Sequence, residues 1–332
     1  MKLSIGVPAF NQGAFLRETL ESILRQTPPF HEIVVSNNHS TDSTADVLAA
    51  MDMEHPGRIR VVVPAQHLSM VQNWNFVASH LTGDWFSLLS SDDLVLPGFV
   101  QAVEEAAARS PNVTLVRGAW RNIGPAGELI ADHHLLSVAA LTHVPVTLYE
   151  QRFGPKGSFA AFALRRDVWQ RVGGFPEQVT LLGDWGMWLL AGALGDIAYT
   201  DHVIAAYRGG HQSDSIRRRH HTHMREMLTI YQDLLPRAAA LAGLGRPAWI
   251  DRASRIRFRE AINATSQEYT ADERPLLIEA FRPWAQATGQ IALFQRFQQG
   301  QVLRSFSLMK TIKPLLRSVV TTLRQRSRAQ VR

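Results

Sequence analysis

Segments with the pattern of buried strands alternate with segments of helical periodicity over the first 120 residues. Short apolar runs such as KLSIGVP (2–8) and HEIVVS (31–36) are typical of strands buried in a sheet. Between such runs, apolar residues recur at three- and four-residue spacing, as Val71, Trp74 and Val77 do. Strands that alternate with helices predict a mostly parallel α/β sheet with helices on both faces. The other predicted strands are 58–64, 84–90 and 113–120, and the other predicted helices lie within 16–24, 40–51 and 98–109.

The bulk composition excludes several kinds of site. The chain has 332 residues and no cysteine, which excludes a disulfide framework, a thiol nucleophile and a thiolate metal site. That composition fits a reducing cytoplasm, where we expect the protein. No run of about 18 apolar residues occurs, so we expect no membrane span, and the N-terminus does not read as a signal peptide. Neither GxGxxG nor GxxxxGK[ST] follows a strand, which argues against a dehydrogenase or a P-loop protein.

The pattern changes beyond the predicted sheet and suggests two regions. Residues 121–157 are irregular and predict connecting loops or a small antiparallel piece, whereas 158–207 are apolar again. Beyond about residue 216 the periodicity is helical. We therefore expect an α/β catalytic domain over 1–215 and a helical C-terminal region over 216–332.

Positive charge is concentrated at the end of the chain. The formal net charge is +6, and residues 301–332 hold eight Lys and Arg residues with no Asp or Glu. Apolar residues recur between these cations, which is typical of an amphipathic helix lying on an anionic membrane surface. A packed or disordered extension is the alternative. Nucleic-acid binding has no supporting motif, so we expect no nucleic-acid partner.

Polar residues follow three of the predicted strands at the point where each strand ends. Pro8-Ala9-Phe10-Asn11 follows the first strand, SNNHSTD (36–42) ends the second, and Ser90-Ser91-Asp92-Asp93 follows the fourth. Because the carboxyl ends of parallel strands meet at one edge of a sheet, we expect these loops to share a pocket.

The adjacent acids Asp92 and Asp93 need a physical reason, since repulsion and desolvation both oppose them at the end of a buried strand. A divalent cation would neutralise them, and Mg²⁺ is commonly held by one or two carboxylates plus substrate phosphates. The alternative is that the pair caps the helix that follows.

Four segments of the chain carry a likeness to a known family. They are PAFN (8–11), EIVVSNNHSTDST (32–44), NWNFVASHLTGDWFSLLSSDD (73–93) and GGFPE (173–177). Together they resemble the family 2 glycosyltransferases of the GT-A fold, over roughly residues 1–215. The resemblance implies a Rossmann-like sheet and an inverting, metal-dependent transfer of a sugar. The sugar would pass from a nucleotide-diphosphate donor to a hydroxyl of a glycan or lipid-linked acceptor, in cell-surface polysaccharide synthesis on the inner face of the membrane.

The resemblance also implies the donor site. Pro8, Ala9, Phe10 and Asn11 match the segment that packs on the nucleotide. Asn38 stands where the family usually has an Asp that accepts the uracil N3–H, and an amide oxygen can accept the same bond. A UDP- or dTDP-sugar is therefore favoured and a GDP-sugar stays open. Turn chemistry is the alternative role of Asn38.

The family's metal-binding triplet is matched by Ser90, Ser91 and Asp92, with Asp92 as the ligand of Mn²⁺ or Mg²⁺ and serine at the first position. Asp93 would then be an additional contact. In AYRGGHQSDS (206–215), His211 matches a metal or phosphate ligand, and Arg208 matches a phosphate contact or pairs with an acid.

The resemblance assigns the catalytic base to Asp184, in LLGDWGMWLLAGALGD (181–196). General-base help of this kind contributes about 10²–10⁴-fold. Helix capping is the alternative role of Asp184. Trp185 would stack on an acceptor sugar or lie in the core.

Four further features stay open. Trp74 replaces a basic residue common in the family and fits the helix stripe, while RRRHHTH (217–223) is typical of a solvated basic stretch rather than of a metal site. The glycines of 150–157 suggest a loop that closes over the donor. Ser90 and Gly183 replace acids common in the family, which leaves a non-catalytic sugar-nucleotide-binding or assembly protein as the second hypothesis.

Overall fold

A computed structural model of the chain describes residues 1–135, 138–210, 220–265 and 272–301. Within these ranges, ten strands form one sheet. The strands are β1 (Leu3–Ala9), β2 (Glu32–Asn37), β3 (Arg60–Val62), β4 (Trp85–Leu88), β5 (Leu94–Val95), β6 (Val113–Ile123), β7 (Leu129–His133), β8 (Leu141–Thr142), β9 (Phe162–Arg165) and β10 (Asp196–Arg208).

The sheet is parallel where the chain enters it and mixed further on. Strand β1 pairs in parallel with β2 and β4, and β2 with β3. Ile5 and Val7 of β1 and Val35 of β2 are buried, as expected for strands covered on both faces. The parallel sheet predicted for this part of the chain is confirmed. The full order is β3-β2-β1-β4-β9-β6-β10-β5, with β7 on β6 and β8 on β10.

Antiparallel pairing enters through β9, which inserts between β4 and β6. The segment 121–157, expected as loops or a small antiparallel piece, contains the antiparallel pair of β7 with β6. Strand β6 continues beyond the predicted end at residue 120 and reaches Ile123. This extension brings the turn after β6 close to the end of β10, where it contributes to the site.

Helices cover the sheet and make up the chain beyond it. Helix α3 begins with a capping box, in which Ser69 and Gln72 each accept a backbone N–H at the first turn. A π-helical turn, Ile230–Leu234, joins α8 to α9. The helices are α1 (Gly13–Leu24), α2 (Thr44–Glu54), α3 (Met70–Ser79), α4 (Phe99–Ala107), α5 (Val146–Glu150), α6 (Arg166–Val172), α7 (Gly183–Leu194), α8 (His220–Thr229), α9 (Leu235–Leu241), α10 (Ala248–Thr265), α11 (Arg274–Thr288) and α12 (Ile291–Gln298).

Helix α7 is buried on nearly all sides. Its residues are apolar all round, the pattern of a helix enclosed by other elements rather than lying on a surface. Trp185, Met187 and Trp188 are almost fully buried within it. Asp184 is the one charged residue of this helix, so its carboxylate enters an otherwise apolar element.

The chain forms two compact units, Met1–Ser254 and Arg255–Arg332. The first contains the whole sheet and extends beyond residue 215 to include α8 and α9. In the described part of the second, Phe258, Phe281 and Phe297 pack edge to face in an aromatic core, which Trp284 completes. No helix in the described ranges is both long enough and apolar enough to cross a membrane. Beyond Gln301, the predicted basic tail lies outside those ranges.

Candidate active site

A cleft of about 340 Å³ opens at the carboxyl ends of β1, β2 and β4. Pro8 and Phe10 line it after β1, Asn38 after β2, and Ser90, Ser91 and Asp92 after β4. The structure therefore brings together the three polar loops that the sequence pattern placed at one edge. Parallel pairing of β1 with both neighbours is the reason, because it turns all three loops towards the same side.

Two of the residues matched to the nucleotide site stand outside the cleft wall. Ala9 is fully buried beneath the loop. Asn11 is exposed and adopts a left-handed backbone conformation with φ of 51°. Its Oδ1 accepts the Thr41 N–H at 2.8 Å, and its own N–H donates to Ser40 Oγ at 3.1 Å. Asn11 thus ties the loop after β1 to the loop after β2.

Asn38 is buried with both groups of its amide engaged. Its Oδ1 accepts the Leu68 N–H at 2.8 Å, and its Nδ2 donates to the Leu68 carbonyl at 2.9 Å. The amide therefore holds the segment before α3 against the cleft. The oxygen keeps a second lone pair for a further donor.

The two adjacent acids face different surroundings. Asp92 lines the cleft, whereas Asp93 is 1% exposed and its Oδ1 accepts the Arg208 N–H at 2.8 Å. Burial and the neighbouring Asp92 charge raise the pKa of Asp93 well above its ordinary value. The Thr19 hydroxyl donates to the carbonyls of Ser91 and Asp93 at 3.1 and 2.8 Å, so α1 supports the loop that carries the pair.

Arg208 holds the loop that carries Asp92 and Asp93 through hydrogen bonds. Its buried guanidinium donates from Nε to the Asp92 carbonyl at 2.8 Å and from Nη1 to the Pro125 carbonyl at 3.1 Å. Its Nη2 pairs with Glu18 Oε2 at 2.6 Å. One side chain thereby joins the acid loop, the turn after β6 and helix α1. Arg208 therefore pairs with an acid, one of the two roles expected for it. It also lines the cleft, and the phosphate contact stays a prediction.

Asp184 lies in the first turn of α7, where Leu182 occupies the N-cap position. Its Oδ1 accepts the Trp185 N–H at 2.7 Å, a bond to the next residue rather than the capping bond considered as the alternative. The residue keeps partial exposure, but neighbouring atoms enclose the carboxylate, and this burial raises its pKa to about 6. A carboxylate with that pKa suits proton transfer near neutral pH.

Trp74 packs beside Gly183, the residue before Asp184. It lines the cleft, is 8% exposed and stacks on Phe159 with ring centroids 4.4 Å apart. A Cβ at Gly183 would lie 3.0 Å from Trp74 Cζ3 and 2.9 Å from Val71 Cγ2. The indole therefore occupies the space that a side chain at Gly183 would need. Trp74 serves both the helix stripe and the wall of the cleft.

The sequence pattern of the family described as Glycosyl transferase family 2 matches residues 4–169, half of the chain. The chain belongs to this family. The matched part contains the cleft loops, Asp92 and Trp74, whereas Asp184 and Arg208 lie beyond it.

Curated relatives include the chondroitin synthase of Pasteurella multocida strain Pm70, 24% identical over 209 residues. That match covers 60% of this chain, which spans about a fifth (20%) of the relative's length. The glycosyltransferase GlyG of Streptococcus pneumoniae serotype 4 is 30% identical over 101 residues, or 30% of this chain and 33% of the relative.

Solved structures extend the likeness in fold to most of the chain. The crystal structure of S. aureus TarS 1–349 in complex with UDP-GlcNAc has a TM-score of 0.68 at 17% identity, covering 91% of this chain and 88% of that one. The mannosyltransferase PcManGT from Pyrobaculum calidifontis, in complex with GDP-Man and Mn²⁺, has a TM-score of 0.54 at 18% identity. It covers 92% of this chain and 88% of that one. The predicted glycosyltransferase fold is confirmed.

The cleft has the donor set for a hard cation shared with a substrate. Among the described residues, Asp92 supplies the one carboxylate side chain of the cleft wall, beside the hydroxyl groups of Ser90 and Ser91. The described ranges contain no cluster of three or more His, Asp and Glu side chains placed to hold a metal. Such a set fits Mg²⁺ or Mn²⁺ held mainly by phosphate oxygens and water. His211, the other predicted ligand, lies outside the described residues.

Trp185 does not line the cleft. It is buried, its indole N–H donates to the Gln151 carbonyl at 3.0 Å, and its ring meets the Tyr231 ring edge to face. Of the two positions considered for Trp185, the structure therefore places it in the core. Trp188 is likewise buried and lies near Phe162.

Sequence reasoning missed several residues of the cleft wall. The His67 ring lies 4.5 Å from the Phe10 ring, and its Nδ1 is 3.2 Å from the Asn38 carbonyl. This residue precedes α3 rather than following a strand, so the rule of polar strand ends could not find it. The capping box two residues later was the available signal. The other missed wall residues are Gln12, Leu68, Ser69, Met70, Asn73 and Tyr207.

Proposed function

We propose that this protein is an inverting glycosyltransferase that moves a sugar from a nucleotide-diphosphate donor to a hydroxyl of a glycan or lipid-linked acceptor. The observation that carries the proposal is a cleft that holds Asp92 and has Trp74 in its wall, with the same Trp74 packed beside Gly183. Gly183 directly precedes Asp184, a carboxylate whose pKa is raised by burial. Relatives named as chondroitin and hyaluronan synthases support a role in polysaccharide synthesis.

The cleft suits a nucleotide donor. Phe10 and His67 offer adjoining ring faces for a base, and Pro8 adds an apolar surface. The Asn38 oxygen keeps one lone pair for a base N–H. A UDP- or dTDP-sugar is favoured and a GDP-sugar is kept as the alternative, since solved relatives are in complex with UDP-GlcNAc and with GDP-Man.

Asp92 would hold Mn²⁺ or Mg²⁺ together with the donor's phosphates. When bound, such a cation neutralises the negative charge of the departing diphosphate. Arg208 donates from Nε to the Asp92 carbonyl and from its backbone N–H to Asp93 Oδ1, and these two bonds keep the loop that carries Asp92 in place. Burial and the Asp92 charge raise the pKa of Asp93, so its carboxyl is protonated more readily than an exposed one.

Asp184 acts as the general base. Its carboxylate takes the proton of the acceptor hydroxyl as that oxygen bonds to the anomeric carbon. The bond between this carbon and the diphosphate oxygen breaks in the same step, so the configuration inverts. With a pKa of about 6, Asp184 is largely ionised at pH 7.5 and able to accept the proton. One displacement needs no covalent nucleophile, consistent with a chain that lacks cysteine.

One observation favours the second candidate, a non-catalytic sugar-nucleotide-binding or assembly protein. Trp74 and Val71 fill the space beside Gly183, so the family's usual acid has no room there. In addition, Ser90 replaces the first acid of the metal triplet.

Release of nucleoside diphosphate from a panel of nucleotide sugars, with and without Mn²⁺, tests the two candidates. We expect Asp184→Asn to bind donor like the wild type and to release nucleotide about 10²–10⁴-fold more slowly. Asp92→Asn should lose the Mn²⁺-dependent part of donor binding. Equal release by the wild type and Asp184→Asn, with donor still bound, would exclude the base role of Asp184. No release above background by either protein, with donor still bound, would favour the binding protein.

A further inference from the structure

Glu226 is a buried carboxylate directed at the segment that leads into α7. It lies on α8, is 6% exposed, and accepts four hydrogen bonds. Its Oε1 receives the Thr180 N–H at 2.8 Å and the Thr180 hydroxyl at 2.7 Å. Its Oε2 receives the N–H groups of Leu181 and Leu182 at 2.8 and 3.0 Å. Both carboxylate oxygens of Glu226 therefore accept hydrogen bonds from the same short stretch of chain, residues 180–182.

That stretch leads directly to the base. Leu182 is the N-cap of α7 and offers no side-chain cap, and Asp184 comes two residues later. The N–H groups before and within a first helical turn need acceptors, which a capping side chain usually supplies locally. Here Glu226 supplies the acceptors from a distant part of the chain, and Asp184 accepts the Trp185 N–H itself. The entry to α7 is thus held from outside the helix.

We propose that Glu226 is the positioning residue of Asp184, fixing the entry turn of α7 so that the base faces the acceptor hydroxyl. This inference rests on the proposed function. Burying a carboxylate is costly unless hydrogen bonds satisfy it, and here three backbone N–H groups and one hydroxyl do so.

The body of α7 is held by other contacts. Tyr231 meets the Trp185 ring edge to face and donates its hydroxyl to the Arg152 carbonyl at 2.6 Å. Leu234 packs so close to Gly186 that a Cβ there would lie 3.0 Å from its Cδ1. Removing the Glu226 charge therefore releases the entry turn while the helix keeps its packing. The effect should fall on catalysis more than on the fold.

The test combines Glu226→Gln with Asp184→Asn in a double-mutant cycle read by nucleotide release. Gln keeps the size of the side chain but turns an N–H₂ donor towards backbone donors. We expect Glu226→Gln to lower kcat by about 10- to 100-fold, the scale of a small misplacement of a catalytic group, with unchanged affinity for UDP and Mn²⁺. In the Asp184→Asn background it should cause no further loss, because residues that act through one group are not additive.

Asp233→Asn is the matched control. Asp233 lies on the π-helical turn after α8 and accepts from Gln178 Nε2 at 3.1 Å, a contact between the same two stretches of chain on the exposed side. We expect wild-type kcat from this variant. A similar fall in kcat would show a general effect of loosening these segments and would overturn the specific role of Glu226.

Four other outcomes also decide the question. Wild-type kcat in Glu226→Gln, or an equal factor of loss in the wild-type and Asp184→Asn backgrounds, overturns the positioning role. If Glu226→Gln fails to fold, Thr180→Val decides by the same cycle, since it removes the one hydroxyl bond and leaves the carboxylate. Wild-type protein that releases no nucleotide from any donor refutes the proposed function, and the positioning role with it, which separates the two failures.

Discussion

Asp184→Asn should make the protein more stable at neutral pH while it removes the proposed base. The wild-type carboxylate is buried, and burial raises its pKa from 3.8 to about 6. An ionised carboxylate is therefore worse placed in the folded protein than in the unfolded chain. Asparagine has nearly the same shape and carries no charge, so it avoids this cost.

The magnitude follows from the shift in pKa. At about 1.36 kcal/mol per pKa unit, a change from 3.8 to about 6 corresponds to roughly 3 kcal/mol. Partial exposure of the residue reduces this, so we expect about 1–3 kcal/mol. The folded-state pKa is raised, so the wild type has no penalty below about pH 4. It loses stability as the pH rises to about 6, and little changes above that.

Urea unfolding followed by tryptophan fluorescence, at pH values from 4 to 7.5, measures the free energy of unfolding of both proteins. The advantage of Asp184→Asn should grow between pH 4 and 6 and then level off. Asp46→Asn is the control, because Asp46 also lies in the first turn of a helix, α2, but is exposed. There the charge favours the helix, so the control should lose about 0.3–1 kcal/mol. An Asp184→Asn protein that is less stable at pH 7.5, or a difference independent of pH, would refute the reasoning.

Two further substitutions test the frame of the site. Gly183→Ala should lower the free energy of unfolding by about 1–3 kcal/mol, because its Cβ would lie 2.9 Å from Val71 Cγ2, and Val71→Ala in the same chain should restore part of the loss. Urea unfolding decides this, and an unchanged midpoint would contradict the contact. Arg208→Met should cost more than about 2 kcal/mol by leaving the buried Asp92 carbonyl without its donor, whereas Glu18→Gln should cost less than about 1 kcal/mol because Glu18 is 55% exposed. Equal losses in these two variants would show that the ion pair, rather than the backbone contacts, gives Arg208 its role.

The sequence was sufficient for the parallel part of the sheet and for the meeting of its loops. Apolar runs of strand length alternate with helical stripes, and that order leaves few ways to connect parallel strands. The loops at 8–11, 36–42 and 90–93 therefore had to lie at one edge, and the structure has all three there. Their residues could be found early because each follows its strand directly in the chain.

The sequence could not separate Asp92 from Asp93. Adjacent residues have the same local pattern, and only the Arg208 N–H on one side and the open cleft on the other distinguish them. His67 could not be predicted for a related reason, since it joins the cleft wall by packing on Phe10 rather than by following a strand. Contacts of this kind join residues far apart in the chain.

Local pattern determined what each segment of this protein is: strand, helix, or polar loop at a strand end. Tertiary structure decided which polar groups form hydrogen bonds and ion pairs within the fold and which face the cleft. Arg208 reaches Glu18 across 190 residues, and Glu226 reaches Leu182 across 44. Burial and hydrogen bonding set the charge and orientation of such groups, and both depend on neighbours that no short stretch of sequence contains.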